Sequence, residues 1–197
     1  IGAVAIQQSN PDVIWVGTGE GNPRNSMNLG AGIFKSTDGG TAWKFMGLKA
    51  TKTIHRIIID PNDHNTVYVG AMGDPFTENE HRGLYKTIDG GENWTKILYS
   101  NTSSGIADLV MDKSNPKKIF AALYEHHRTP YSFVSGGKGS GLYVTEDAGE
   151  SWNIIGPKQG FPEGELGRIG IAIAPSNPNR IYAKVEAKKN VLFRSDD

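Results

Sequence analysis

Short apolar runs alternate with clusters of glycine, proline, asparagine and aspartate along the whole chain. The runs are four to six residues long and rich in β-branched and aromatic side chains, and no stretch keeps an apolar period of 3.6 residues. Runs of this kind are typical of β-strands, and the polar clusters between them are typical of turns. The pattern therefore predicts an all-β protein.

The apolar runs recur in a fixed order with a period of about fifty residues. Each period has a first apolar run, a second run with an aromatic residue, a third run, and a turn of the form Ser/Thr-x-Asp-x-Gly-x-x-Trp. The aromatic residues of the second runs are Trp15, Tyr68, Phe120 and Tyr182. The residues that define the three complete turns are Ser36, Asp38, Trp43, Thr87, Asp89, Trp94, Thr145, Asp147 and Trp152. A fourth turn begins at Ser195, and the turn aspartates at 38, 89, 147 and 197 are 51, 58 and 50 residues apart.

Each period predicts one four-stranded antiparallel meander. A single sheet of this kind cannot bury both faces, so copies at this spacing are expected to stack radially as the blades of a β-propeller. The expected segments within the single propeller segment 1–197 are blade one (1–47), blade two (48–99), blade three (100–156) and an incomplete blade four (157–197). We expect a partial propeller of about four blades that belongs to a larger chain.

Composition excludes several other classes of protein. The 197 residues include 21 Lys+Arg, 21 Asp+Glu and no cysteine. A balanced charge argues against binding to nucleic acid or to an anionic membrane, and the absence of cysteine excludes a disulfide framework. No apolar run approaches the roughly 18 residues of a membrane span. We predict no cofactor and no metal, because the doublet His126-His127 lacks a third ligand at a recognisable spacing.

The turn motif itself predicts a structural role. Its aspartate can accept hydrogen bonds from turn amides, its glycines allow positive φ, and its tryptophan can anchor the turn on the blade. We therefore assign the Asp-turn residues to structure and not to catalysis.

Antiparallel topology divides the loops between two faces. The Asp turns share one face, here called the Asp-box face, with short connections between first and second strands. The opposite face, here called the long-loop face, carries the unequal loops 20–31, 74–82 and 125–140 and the connection 156–167. Variable loops on a rigid scaffold are where binding and catalysis usually occur.

The long-loop face is predicted to hold the functional residues. Acidic residues recur where the second strands end, and they are the candidate catalytic residues: Glu20, Asp74, Glu125 and Glu186. The candidate ligand-binding residues are Glu20, Asn22, Arg24, Asn25, Arg56, Arg82, His126, Arg128, Tyr131 and Arg168. Arg56 and Asp108 share one register on neighbouring first strands, which predicts an ion pair between blades. Arg168 lies on the equivalent strand of the fourth blade, so all three residues are expected to approach the central channel of the propeller.

The Ser/Thr-x-Asp-x-Gly-x-x-Trp turn resembles the Asp box, or bacterial neuraminidase repeat, of sialidases, xyloglucanase-type hydrolases and sortilin-type receptors. The segments WVGTGEGNPRNS (15–26), GIFKSTDGG (32–40) and GELGRIG (164–170) are similar to large secreted bacterial proteins described as sortilin-like or neuraminidase-repeat glycosyl hydrolases. The resemblance implies an Asp-box propeller. It fixes fold more closely than function, because these families differ in chemistry.

Three functions are compatible with the sequence. The favoured prediction is a non-catalytic binding or scaffold module that recognises protein, peptide or glycan through the long-loop face, because no catalytic set is recognisable. The alternatives are a glycoside hydrolase, sialidase-like or xyloglucanase-like, with paired carboxylates at the channel mouth, and an architectural subunit of a secretion or assembly complex. The expected partners are the remaining blades or domains of a parent chain, without nucleic acid. The expected location is bacterial and secreted, periplasmic or at the cell surface.

Overall fold

Antiparallel sheets make up the computed structural model, which describes residues 1–24 and 26–196. The first two sheets are four-stranded meanders in which consecutive strands are neighbours. The first contains β1 (Ala3–Ile6), β2 (Ile14–Gly17), β3 (Ile33–Ser36) and β4 (Lys44–Phe45). The second contains β5 (Ile54–Ile59), β6 (Val67–Ala71), β7 (Gly83–Thr87) and β8 (Thr95–Leu98).

The third and fourth sheets vary this plan. The third contains β9 (Ser104–Met111), β10 (Ile119–Arg128), β11 (Phe133–Ser135), β12 (Gly141–Thr145) and β13 (Asn153–Ile155). Within the described residues the fourth contains β14 (Ile169–Ala174), β15 (Asn177–Val185) and β16 (Val191–Ser195). Short 3₁₀ turns occupy Lys49–Thr51 and Pro157–Gln159. Part of the segment 125–140, expected to be a loop, is instead strand, because β10 continues to Arg128 and pairs there with β11.

The sheets stack radially around their first strands. Strand β1 contacts β5, β5 contacts β9, and β9 contacts β14. Three apolar clusters fill the spaces between neighbouring sheets, with Trp15 and Val69 in the first, Tyr68 and Leu109 in the second, and Phe120 in the third. The all-β, partial-propeller prediction is confirmed, because neighbouring sheets bury their facing surfaces against each other.

Each complete Asp-box turn is closed by the same hydrogen bonds. In the first turn, the Ser36 hydroxyl donates to Asp38 at 2.8 Å, and the same carboxylate oxygen accepts the amide of Ala42 at 2.9 Å. The corresponding contacts recur around Asp89 and Asp147. A carboxylate that accepts several turn donors is favoured in its charged form, and the amide of Asn93 is the largest cause that holds the pKa of Asp89 below its ordinary value.

The Asp-box turns also make contacts between neighbouring blades. The Trp94 indole donates to the carbonyl of Met46 in the first sheet at 2.7 Å and packs edge-on against Trp15 at a ring-centroid distance of 6.2 Å. At the next interface the Tyr68 hydroxyl donates to the carbonyl of Ala148 at 3.0 Å. The aromatic residue of one second strand is therefore covered by the Asp-box turn of the following blade.

Backbone hydrogen bonds place the two kinds of short connection on one face. Amides of the Asp-box turns donate to carbonyls in the connections between first and second strands. These pairs are Gly39 to Asp12, Gly90 to Asn65, and Ala148 to Lys117. The longer loops after the second strands consequently emerge at the opposite ends of the blades, which is the long-loop face.

Candidate functional site

Glu20 follows β2 and is held by side chains of its own loop. The Asn28 amide donates to Glu20 Oε1 at 3.2 Å, and Arg24 Nε lies 3.5 Å from Oε2. The hydrogen bond from Asn28, and then the nearby charge of Arg24, hold the pKa of Glu20 below its ordinary value despite desolvation. Glu20 is therefore ionised at neutral pH. The predicted ligand-binding residue Asn25 belongs to the same loop but lies outside the described residues.

Glu125 and Glu186 each hold a loop. Glu125 Oε2 accepts the amide of Gly139 at 2.7 Å and the side-chain amide of Asn101 at 3.0 Å. Glu186 accepts the hydroxyl of Ser135 at 2.8 Å and the backbone amide of Arg168 at 2.9 Å. These donors come from loops of the long-loop face, so both carboxylates are engaged in fixing that face.

Asp74 begins the loop after β6. One of its carboxylate oxygens accepts the amide of Phe76 at 2.9 Å. This is an Asx turn, which fixes the first residues of the loop. All four acidic residues predicted from the ends of the second strands are thus on the long-loop face, and Glu20 is the one whose carboxylate is held mainly by side chains.

Arg82 lies inside the long-loop face and not on it. Its side chain is 0% exposed, and its guanidinium donates to the carbonyls of Asp74 at 2.6 Å, Ser103 at 2.7 Å and Thr77 at 3.2 Å. His126 lies beside it, 1% exposed and stacked on Tyr124. We expected Arg82 and His126 to contact a ligand. Their burial corrects that expectation, because neither side chain is accessible and both support the loop 74–82.

A network of side chains joins the blades at the channel. Arg56 Nε lies 2.7 Å from Asp108 Oδ1, which is the ion pair expected between the first strands, and Asp108 Oδ2 accepts the amide of Ile171 at 2.8 Å. Arg168 donates to Asn22 at 3.0 Å and contacts His55 Nε2 at 2.9 Å. Residues of all four sheets or their loops therefore meet here, with Arg56, Asn22 and Arg168 among the predicted ligand-binding residues.

His55 is a member of this network that sequence reasoning missed. Arginine can only donate hydrogen bonds, so His55 Nε2 must accept from Arg168 and the neutral ring must carry its proton on Nδ1. Burial, and then the positive charges of Arg56 and Arg168, lower the pKa of His55 to about 4. The only sequence sign of this role was its place beside Arg56 on a first strand.

We expect stability to fall as pH drops from about 6.5 towards 4. Burial lowers the pKa of His55 to about 4 and that of His126 to about 3, whereas both histidines titrate near 6.5 when unfolded. The unfolded chain therefore binds protons first as the pH falls, so full stability is present above pH 6.5 and is lost below it. The slope approaches about 1.4 kcal/mol per pH unit for each histidine.

Denaturant unfolding at pH 7, 6, 5 and 4.5 measures this dependence. His55→Gln is expected to reduce the slope. His81→Gln is the matched control, since His81 is exposed, and it should leave the slope unchanged. Equal stability of the wild type at pH 7 and 4.5 would contradict the burial of two neutral histidines.

The end of β10 carries the remaining predicted residues. The Arg128 guanidinium lies 5.4 Å from the centre of the Phe133 ring, and the Tyr131 side chain is 98% exposed. The Tyr131 ring is therefore available to a ligand on the long-loop face, unlike Arg82 and His126, whereas Arg128 is half-buried and its Nε is enclosed.

A cavity of about 560 Å³ opens on the axis at the Asp-box end. Aliphatic side chains of the first strands supply most of its lining, including Ile58, Leu109 and Ile171. Its polar residues include Asp60, which caps the following turn by accepting the amide of Asn62 at 2.8 Å. The acidic residues that could act on a sugar are concentrated at the other end of the channel.

Most of the chain matches a known protein family. The family described as Sortilin, neurotensin receptor 3 (Sortilin-Vps10) matches residues 31–196. The chain belongs to the Sortilin-Vps10 family. This membership confirms the sortilin-like resemblance carried by the Asp-box turns.

Two curated relatives are described as xyloglucanases. The chain is 27% identical over 205 residues to the oligoxyloglucan-reducing end-specific xyloglucanase of Emericella nidulans, and 26% identical over 209 residues to a probable enzyme of the same kind from Neosartorya fischeri. Each match covers 90% of this chain and 23% of the relative. The chain therefore spans less than a quarter of the length of these curated relatives.

Solved structures show the same fold. The GH74 xyloglucanase from Xanthomonas campestris superposes with a TM-score of 0.71 at 17% identity, covering 98% of this chain and 28% of that one. The GH74 enzyme of Niastella koreensis superposes with a TM-score of 0.68 at 24% identity, covering 98% of this chain and 27% of that one. No helix in the described part of the chain is long and apolar enough to cross a membrane.

These comparisons overturn the favoured functional prediction. A non-catalytic binding or scaffold module was expected because no catalytic set was recognisable in the sequence. The curated relatives matched along 90% of the chain are glycoside hydrolases, so the alternative prediction has the better support.

Proposed function

We propose that the protein containing this chain is a glycoside hydrolase that acts on xyloglucan-type polysaccharide. In this proposal the long-loop face of the chain forms one wall of the substrate cleft. The observation that carries the proposal is the match of two xyloglucanases to 90% of the chain. Because such a substrate lies outside the cell that degrades it, the proposal includes a secreted or cell-surface location.

Glu20 is the carboxylate that we assign to the reaction. Glycoside hydrolysis uses two carboxyl groups that flank the scissile bond, one protonated as the general acid and one ionised as base or nucleophile. The lowered pKa of Glu20 suits the ionised role. Its main contacts are with the side chains of Asn28 and Arg24, which a substrate can displace, and the backbone of Asn28 makes a smaller contribution.

No residue of this chain is assigned as the general acid. Glu125 and Glu186 accept backbone amides of Gly139 and Arg168, and moving either carboxylate would release a loop. Of the four acidic residues predicted from the ends of the second strands, Glu20 is therefore the one proposed to take part in the reaction. The others fix the backbone of the long-loop face.

We expect Glu20→Gln to lower kcat on xyloglucan by about 100-fold or more, because positioned acid–base groups contribute 10²- to 10⁴-fold. The amide keeps the size of the side chain, so thermal stability should change little. Release of reducing ends from xyloglucan measures the activity, and thermal unfolding measures the fold.

Glu92→Gln is the matched control. Glu92 is also a carboxylate paired with a cation, at 2.8 Å from Lys44, but it lies in an Asp-box turn on the opposite face. This variant should keep wild-type kcat. Unchanged activity in Glu20→Gln would remove Glu20 from the mechanism, and a wild-type protein that releases no reducing ends from xyloglucan would overturn the proposed function.

A further inference from the structure

Strand β10 continues beyond its blade. Its first half pairs with β12 from Ile119 to Leu123, whereas its last residues, 126–128, pair with β11. The result is a hairpin over residues 126–135, here called the β10–β11 hairpin. Among the described residues, the other sheets lack such a fifth strand. A feature added to one blade of a repeat is expected to serve a specific contact and not the architecture.

The tip of this hairpin is fixed by Thr129. The Thr129 amide donates to the carbonyl of Ser132 at 2.9 Å, and its hydroxyl oxygen accepts the Ser132 amide at 2.9 Å and the Tyr131 amide at 3.3 Å. Tyr131 is thus held on an ordered turn while its side chain is 98% exposed. A ligand that covers the ring gains burial without the cost of ordering the backbone.

Polar side chains lie along the two strands of the hairpin. The Arg128 guanidinium covers one face of Phe133, and Ser135 donates to Glu186 on the neighbouring blade at 2.8 Å. Arg128 also donates its backbone amide to the carbonyl of Pro75 in the preceding blade at 2.9 Å. The hairpin is therefore anchored to the blades on both sides and stands within the long-loop face.

The exposed apolar surface of the hairpin is too divided for a protein partner. Phe133 and Val134 are 41% and 50% exposed, but adjacent residues of a strand point to opposite faces. A specific protein interface usually buries about 800 Å² on each partner around a contiguous apolar centre. One exposed aromatic ring beside hydrogen-bonding groups instead matches a sugar, which has an apolar face of C–H groups and a rim of hydroxyls.

We propose that the β10–β11 hairpin is a carbohydrate-binding element, in which Tyr131 stacks on a sugar ring of a β-glucan chain. Arg128 and the Ser135–Glu186 pair, on the strands of the same hairpin, are the polar groups that could contact the hydroxyl rim of the chain. This inference rests on the proposed function for the choice of polysaccharide. Glu125 and Arg128 lie on the same strand, so the hairpin adjoins the acidic residues of the long-loop face.

Binding of xyloglucan oligosaccharides, measured by titration calorimetry, tests the proposal. Tyr131→Ala should weaken binding about five- to tenfold, whereas Tyr131→Phe should bind like the wild type because the ring is kept. Ile88→Ala is the matched control, since Ile88 is 70% exposed in an Asp-box turn on the opposite face, and it should have no effect.

The outcomes separate this proposal from the proposed function. Wild-type affinity in Tyr131→Ala, or no oligosaccharide binding by the wild type, overturns the carbohydrate role of the hairpin. The wild type could bind the oligosaccharides through Tyr131 and yet release no reducing ends from xyloglucan. That result supports the carbohydrate role of the hairpin and overturns the proposed hydrolase function. If the protein hydrolyses xyloglucan and Tyr131→Ala leaves KM unchanged, the hydrolase function is supported and the carbohydrate role of the hairpin is overturned.

Discussion

Replacing Trp94 with alanine is expected to lower the free energy of unfolding by about 3 to 5 kcal/mol, as large-to-small changes of packed aromatic residues do. The indole packs against Trp15 and donates to the Met46 carbonyl, both in the neighbouring blade. The substitution therefore opens a cavity at the interface between blades and leaves a carbonyl without its donor. Denaturant unfolding followed by tryptophan fluorescence and circular dichroism measures the loss.

Trp43 provides the matched control for this prediction. It occupies the same position of the Asp-box motif, but it is 43% exposed and its indole donates to Gly40 within its own turn. Trp43→Ala should therefore cost clearly less than Trp94→Ala. Equal losses for the two variants would show that the tryptophan stabilises its own turn and not the contact between blades.

The second large effect is expected from Arg82→Met, which should destabilise the protein by about 3 kcal/mol or more. The guanidinium is the shared donor for the carbonyls of Asp74, Thr77 and Ser103. Each carbonyl keeps a second donor, either the Asn79 side chain or the His126 amide. The loss therefore comes from the charge-assisted hydrogen bonds themselves, which are worth about 1.5 to 3 kcal/mol each. Methionine fills much of the same space, so the loss reports the missing hydrogen bonds more than a cavity. Urea unfolding measures it.

Arg180→Met is the corresponding control. Arg180 is a partly exposed arginine whose Nε lies 2.6 Å from Asp196, and an exposed ion pair is worth about 1 kcal/mol or less. A loss in Arg82→Met no larger than that of Arg180→Met would mean that the loop 74–82 does not depend on the buried cation.

The repeated elements were predictable because their causes are local. Four segments with the same strand and turn pattern predict four copies of one unit, and hydrogen bonds within the Asp-box turn span only a few residues. The ion pair between Arg56 and Asp108 was also predictable, since equivalent positions on the first strands of neighbouring blades lie side by side.

The contacts that depend on several blades could not be read in this way. Arg82 looked like a surface arginine, because charged residues are rarely buried without a partner. Its burial requires carbonyls from its own loop together with Ser103, which precedes the first strand of the next blade. His55 likewise acquires its role only when Arg168 of the fourth sheet reaches it.

The β10–β11 hairpin was missed for a different reason. Strand β11 has three residues and is followed by Gly136, so its pattern is typical of a loop. It pairs with residues 126–128 only because β10 continues past the part that pairs with β12 within the blade. The functional error had a comparable origin, since an active site assembled from several loops leaves no compact motif in the sequence.

Hydrogen–deuterium exchange with and without xyloglucan oligosaccharides measures whether the long-loop face of this propeller segment binds polysaccharide. We expect slower exchange in residues 20–31 and 125–140 on adding the oligosaccharide, with no change in the Asp-box turns around Asp38, Asp89 and Asp147. Slower exchange confined to the Asp-box turns, or no change anywhere in the chain, would contradict this expectation.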